Sequence, residues 1–345
     1  MNIRYGISLI AVFAVVVSSH RAEEKPAYNP GPNKADEPLA KEYSAARAGE
    51  FLDHVGAKWT AERKCATCHT NVPMLWAKPV LKSPSTAEKE VRAFLENRVT
   101  HWDRGEKSDK PRWDTEVIVT AVTLAMHDAQ TTGKLHATTR TALDRMWTLQ
   151  KPHGAWNWLK CNWPPQEHDD AFGAVFAAVG LAYAPDDYAK SDKAQAGLAK
   201  LRAYFAKNPL PNAHHRAWLL WASTRLEGLM TAEQRKQTIQ ELRDLQKPDG
   251  GWSLPSLGDW EGYDGRDNDT KAASDGYGTG LVVLVLREAG IAKDDAAIQR
   301  GVKWLKTNQR SSGRWWTRSL NTDRAHYITN AGTAYALMAL SRCEE

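Results

Sequence analysis

One eight-residue turn recurs along this chain and constrains its fold more than any other feature. Leu149-Gln150-Lys151-Pro152-His153-Gly154-Ala155-Trp156 returns as Leu245-Gln246-Lys247-Pro248-Asp249-Gly250-Gly251-Trp252. A looser copy is Asn308-Gln309-Arg310-Ser311-Ser312-Gly313-Arg314-Trp315. Glycine allows a tight exit from a helix, proline ends one, and tryptophan can pack back over the turn. The glutamine can bond the chain of a neighbouring unit. Three copies at corresponding points imply a chain built by repeating one small unit.

The spacing of apolar residues says what that unit is. Amphipathic, charge-rich helices are expected over Glu42–Val55, Thr86–Val99, His136–Leu149, Asp192–Phe205, Ala232–Leu245 and Ala296–Leu305. Between them lie stretches that are apolar nearly all round: Asn71–Leu81, Thr115–His127, Ala171–Ala182, Ala217–Leu226, Tyr277–Ala289 and Asn330–Leu340. A helix apolar on every face has to be buried on every face. The expectation is six helical hairpins, each with one exposed and one enclosed member.

The Q-K-P-x-G-x-W and Q-x-x-x-G-x-W turns resemble the QW-type repeats of squalene–hopene cyclases and related prenyltransferase-like proteins. The resemblance implies an all-α fold, an (α/α)6 toroid, over about residues 40–343. In that family a D-x-D-D motif at the start of an inner helix protonates the substrate. Its nearest match is Glu167-His168-Asp169-Asp170, with Asp267-Asn268-Asp269-Thr270 a second partial match. Crowded carboxylates raise one another's pKa. Asp169, Asp170 and Asp275, at inner-helix starts, are therefore candidate catalytic acids. They are also well placed to cap those helices.

Cys65-Ala66-Thr67-Cys68-His69 stands apart from the cyclase pattern. Two thiols at this spacing can form thioethers to one haem, and the next imidazole can take the iron. No second C-x-x-C completes a four-thiolate zinc site. Cys68-His69-Thr70-Asn71-Val72 also resembles Tyr327-Ile328-Thr329-Asn330-Ala331, so the motif falls at the start of the first inner helix. The expectation is one covalent haem c on Cys65, Cys68 and His69. His326 is expected as second iron ligand and candidate catalytic residue, because the last repeat adjoins the first in a closed ring. His168, His214, His215 and Met74 are weaker ligand candidates.

The function expected on this reading is that of an exported mono-haem c-type cytochrome, carrying electrons or doing redox chemistry at the mouth of the toroid. The alternatives are a haem-dependent oxidoreductase with an apolar or small substrate in the ring, cyclase-like acid catalysis, and haem-based sensing. A redox protein or a small apolar substrate is the expected partner. The net charge of +5 comes without a basic, aromatic-rich block, which argues against nucleic acid.

Residues 1–22 read as a signal peptide, with Arg4 before an apolar run too short to span a bilayer comfortably. A periplasmic or otherwise exported protein with no stable membrane span is expected. Residues 23–38, carrying four prolines, read as a flexible linker, and 39–345 as one toroid domain. Cys161 and Cys343 could pair in an exported protein.

Overall fold

A computed structural model describes residues 28–102, 111–262 and 265–344. The signal-peptide reading of residues 1–22 lies outside them. Among the described residues there are twelve α-helices, in two alternating sets. The outer set is α1 (Ala45–Arg63), α3 (Thr86–His101), α5 (Ala137–Thr148), α7 (Asp192–Lys207), α9 (Ala232–Asp244) and α11 (Ala296–Asn308). The inner set is α2 (Asn71–Ala77), α4 (Pro111–Thr131), α6 (Asp170–Tyr183), α8 (Ala213–Ser223), α10 (Gly276–Glu288) and α12 (Ile328–Glu344). Each inner helix packs on the next, and α12 returns to α2, so the ring is closed. The chain is an all-α (α/α)6 toroid.

Short polar side chains start most of these helices. Ser44, Ser85, Asp169, Ser191, Asn212, Thr231, Asp275 and Asp295 each accept a backbone N–H from the first turn. Such a bond satisfies a donor that the helix itself leaves free.

The repeated turn works as its residues suggest. Trp156 Nε1 donates to Met146 O, Trp252 Nε1 to Leu242 O and Trp315 Nε1 to Leu305 O, each reaching ten residues back. Gln150, Gln246 and Gln309 each bond their own turn and the following outer helix or its cap: Gly197 O, Ala297 O and Ser44 O respectively. The third copy is the seam of the ring. Gln309 also accepts the Ser44 N–H at 2.7 Å, joining the sixth hairpin to the first. Gly313 sits at φ +94° there, and a Cβ on it would collide with Arg47 O. Glycine is required twice over, by conformation and by space.

The bore is plugged by aromatic rings. Trp76 on α2 stacks on Phe176 at 5.3 Å and meets Trp218 and Trp221 on α8 at 6.0 and 6.3 Å. The second and eighth helices stand opposite each other in a six-membered inner ring, so these contacts cross its axis. Tyr335 on α12 meets Trp218 at 6.0 Å and Tyr277 at 5.1 Å. All six side chains are buried to within 2 %. The expected substrate pocket inside the ring is replaced by packing, because the large rings face inward from several helices at one level.

Residues 28–38 are not a free linker. Tyr28 donates to Ser312 O, Asn33 Nδ2 to His326 O at 2.8 Å, and Glu37 pairs with Arg314 at 2.7 Å. Ser311 N–H donates to Pro38 O at 2.9 Å. Proline pre-extends this stretch and lowers the entropy lost on docking. Arg310 and Arg314 supply the charge that holds Glu37.

Candidate functional site

The docked N-terminal stretch walls one side of a cavity of about 1010 Å³ at the seam of the ring. Helix α1 supplies the floor with His54, Lys58, Trp59, Glu62 and Arg63, spaced so that one helix face presents them together. The loop before α12 supplies Trp316, Arg318, Asp323, Arg324, His326 and Tyr327.

Two features define its chemistry. The first is aromatic surface: Trp59 stands edge-on to Tyr327 at 5.1 Å, and Trp316 edge-on to His326 at 5.6 Å. The Nε1 atoms of Trp59 and Trp316 have no acceptor among the described residues. The second is charge. Six cationic side chains, Lys34, Lys58, Arg63, Arg314, Arg318 and Arg324, line the cavity against two acids, Glu62 and Asp323. Arg318 is neutralised by Asp323 at 2.7 Å and Arg314 by Glu37. Arg63 lies 5.7 Å over the Trp59 ring.

The two cavity imidazoles differ. His326 Nδ1 accepts the Ser319 N–H at 3.1 Å, so the neutral ring keeps its proton on Nε2 and faces the cavity as a donor. Burial lowers its pKa, with Arg318 and Arg266 adding to the fall and Asp323 opposing it. His54 makes no hydrogen bond among the described residues and keeps a free lone pair; the Tyr28 ring stands edge-on at 5.8 Å. Burial, then Lys58, lowers its pKa, so it is neutral near pH 7.

The Cys65–His69 motif lies beside this cavity, which reaches Thr70. The His69 ring stacks on Tyr327 at 5.5 Å, with Trp59 edge-on at 4.8 Å, and burial lowers its pKa to about 4. Its Nδ1 pairs with Thr70 Oγ1 at 2.7 Å, and its Nε2 has no partner among the described residues. Cys65 is half-buried, whereas Cys68 is 2 % exposed, and burial followed by Glu167 pushes its thiol well up. These residues fit a haem in part: Cys65 and His69 are only partly exposed, and Cys68 is buried in the core. His326 does not serve as a second iron ligand in this arrangement, since one ring nitrogen accepts an amide and the other carries the proton. Among the described residues no three His, Cys, Asp or Glu side chains converge as a metal site.

The candidate acids are occupied elsewhere. Asp169 caps α6 and bonds His215 at 3.1 Å; Asp170 pairs with Lys160 at 2.9 Å. Asp275 caps α10 and accepts from Leu254 N and Thr317 Oγ1; its pKa is raised to about 6 by burial, which those bonds oppose. None of the three lines the cavity. Cys161 and Cys343 are both free thiols. No described helix is long and apolar enough to cross a membrane.

Comparison with known proteins agrees with the ring. Residues 217–345 match the family model of the squalene–hopene cyclase C-terminal domain. Among solved structures, a polysaccharide lyase superposes with a TM-score of 0.52 at 12 % identity, covering 87 % of this chain and 97 % of its own. A possible member of the GH105 family from Klebsiella pneumoniae gives a TM-score of 0.35 at 12 % identity, covering 87 % and 81 %. No curated protein matches the chain. These findings overturn the expected function as a cytochrome carrying electrons or doing redox chemistry. The family model over residues 217–345 and the lyase that superposes on 87 % of this chain both describe a helical toroid rather than a cytochrome. The cyclase-like and haem-oxidoreductase alternatives also fail, because the ring interior they need is filled and its carboxylates are bonded.

Proposed function

We propose that this protein binds and processes an acidic saccharide in the seam cavity. The observation that carries the reading is the meeting of aromatic faces with cationic side chains that lack an acid partner. Lys34, Lys58, Arg63 and Arg324 have no ion-pair partner among the described residues, yet all border one cavity beside Trp59, Tyr327 and Trp316. Aromatic rings offer a flat apolar platform, and unpaired cations attract carboxylates. The structural likeness to a polysaccharide lyase supports the same ligand class.

The test is titration calorimetry with oligogalacturonate and with a neutral oligosaccharide of equal length. Binding is expected for the acidic ligand alone, weakening as salt screens the charges. Arg324→Ala and Lys58→Ala should each lower affinity by about threefold to tenfold, in the range of one exposed charge pair. Equal binding of the neutral ligand, or no salt dependence, would overturn the reading.

A second reading concerns a cofactor. We propose that Cys65 and Cys68 hold a c-type haem and that His69 is its iron ligand. The observation favouring it is His69 itself, with Nδ1 held by Thr70 and Nε2 unpartnered. When bound, the group would supply a porphyrin iron beside Trp59 and Tyr327. Acid–acetone extraction after expression with haem-attachment machinery decides it. Haem should stay with the wild-type polypeptide and leave the Cys65→Ala/Cys68→Ala variant. A colourless wild-type polypeptide rules it out.

A further inference from the structure

The acidic-saccharide reading leaves open which group does chemistry on the ligand, and the geometry points to one. We propose that His54 is the Brønsted base of the seam cavity and that the reaction is β-elimination from a uronate-bearing oligosaccharide.

The assignment follows from the imidazoles near the ligand space. His326 is committed as a donor by the Ser319 amide at its Nδ1. His69 sits behind Tyr327 and does not border the cavity. His54 does border it, on the same face of α1 as Lys58 and Trp59, with neither nitrogen engaged. A base must offer a lone pair within reach of the proton it takes.

The surrounding cations supply the second requirement. A carbon-bound proton beside a carboxylate becomes acidic only when the charge passing into that carboxylate is stabilised. Lys58 lies one turn from His54, and Arg63 and Arg324 border the same space. The step balances without an oxidant or other co-reactant. His54 takes the proton from the carbon next to the carboxylate. That electron pair becomes a carbon–carbon double bond, and the bond to the glycosidic oxygen on the adjacent carbon breaks with its own pair. The leaving oxygen takes a proton from water, and His54 later returns its proton to solvent.

The experiment incubates the full chain with oligogalacturonate and oligoglucuronate, following the ultraviolet absorbance of the new double bond conjugated to the carboxylate. Binding is followed separately by calorimetry. Wild type is expected to generate the absorbance. His54→Ala should bind within about threefold of wild type yet lose on the order of 10²-fold or more in rate, with partial recovery in added imidazole. Unchanged turnover in His54→Ala, or a loss that imidazole does not restore while His54→Gln turns over normally, would overturn the assignment. Binding by wild type without unsaturated product would overturn the reaction while leaving the saccharide reading intact. Failure of both acids to bind would overturn the reading beneath it.

Discussion

Trp76→Ala is expected to lower the free energy of unfolding by about 3–5 kcal/mol, the range for removing a large buried aromatic ring. The indole is fully buried and touches Phe176, Trp218 and Trp221 across the axis of the ring. Helices on opposite sides meet through this side chain, so its neighbours cannot close the gap without moving the inner ring. Trp76→Phe should cost much less, because Trp76 Nε1 has no hydrogen-bond partner to lose. Urea denaturation of the two variants checks the pair. If alanine is as well tolerated as phenylalanine, the plug does not hold the ring together.

That plug also shows where sequence reasoning reached its end. The hairpin count, the alternation of helix types and the function of the repeated turn were legible, because each depends on neighbours close in sequence. Trp156, Trp252 and Trp315 all bond a carbonyl ten residues earlier, a distance that the turn itself fixes. The meeting of Trp76 with Trp218 depends on the diameter of the ring and the level of each side chain, which no local pattern encodes. The aspartates at inner-helix starts could be caps or acids on spacing alone, and only their bonds show Asp169 and Asp275 as caps and Asp170 paired with Lys160. The seam cavity was missed because one wall of it comes from residues 29–35, whose prolines read as a tether. The floor was legible: His54, Lys58, Trp59 and Arg63 share one face of α1, an aromatic and cationic stripe.

The second large effect is on acid stability. His214 is enclosed by Phe172, Trp218, Trp260 and Tyr277. Its Nε2 receives the Trp218 indole N–H at 3.3 Å and lies 2.9 Å from the Tyr277 hydroxyl. An indole can only donate, so Nε2 must carry the lone pair and the ring's proton sits on Nδ1, which has no partner. A second proton would displace the indole contact and leave an uncompensated charge in the core. Burial accordingly lowers the pKa of His214 well below its ordinary value. The unfolded chain binds that proton near pH 6.5 while the folded chain does not. Stability is therefore full above about 6.5 and falls as pH drops toward the folded pKa, by up to about 1.4 kcal/mol per pH unit for this group. Asp275 works in the opposite direction: its folded pKa of about 6 exceeds its unfolded value, so the folded state gains from protonation over part of the same window. The net slope also carries His54, His69 and His326, whose pKa values burial lowers, and a variant isolates the His214 share. His214→Gln should remove close to one proton's worth of slope between about pH 6.5 and 5, measured by urea denaturation across that range, while leaving the Asp275 contribution in place. An unchanged slope would mean that His214 is already protonated in the folded ring, and the hydrogen bond from Trp218 could not then exist.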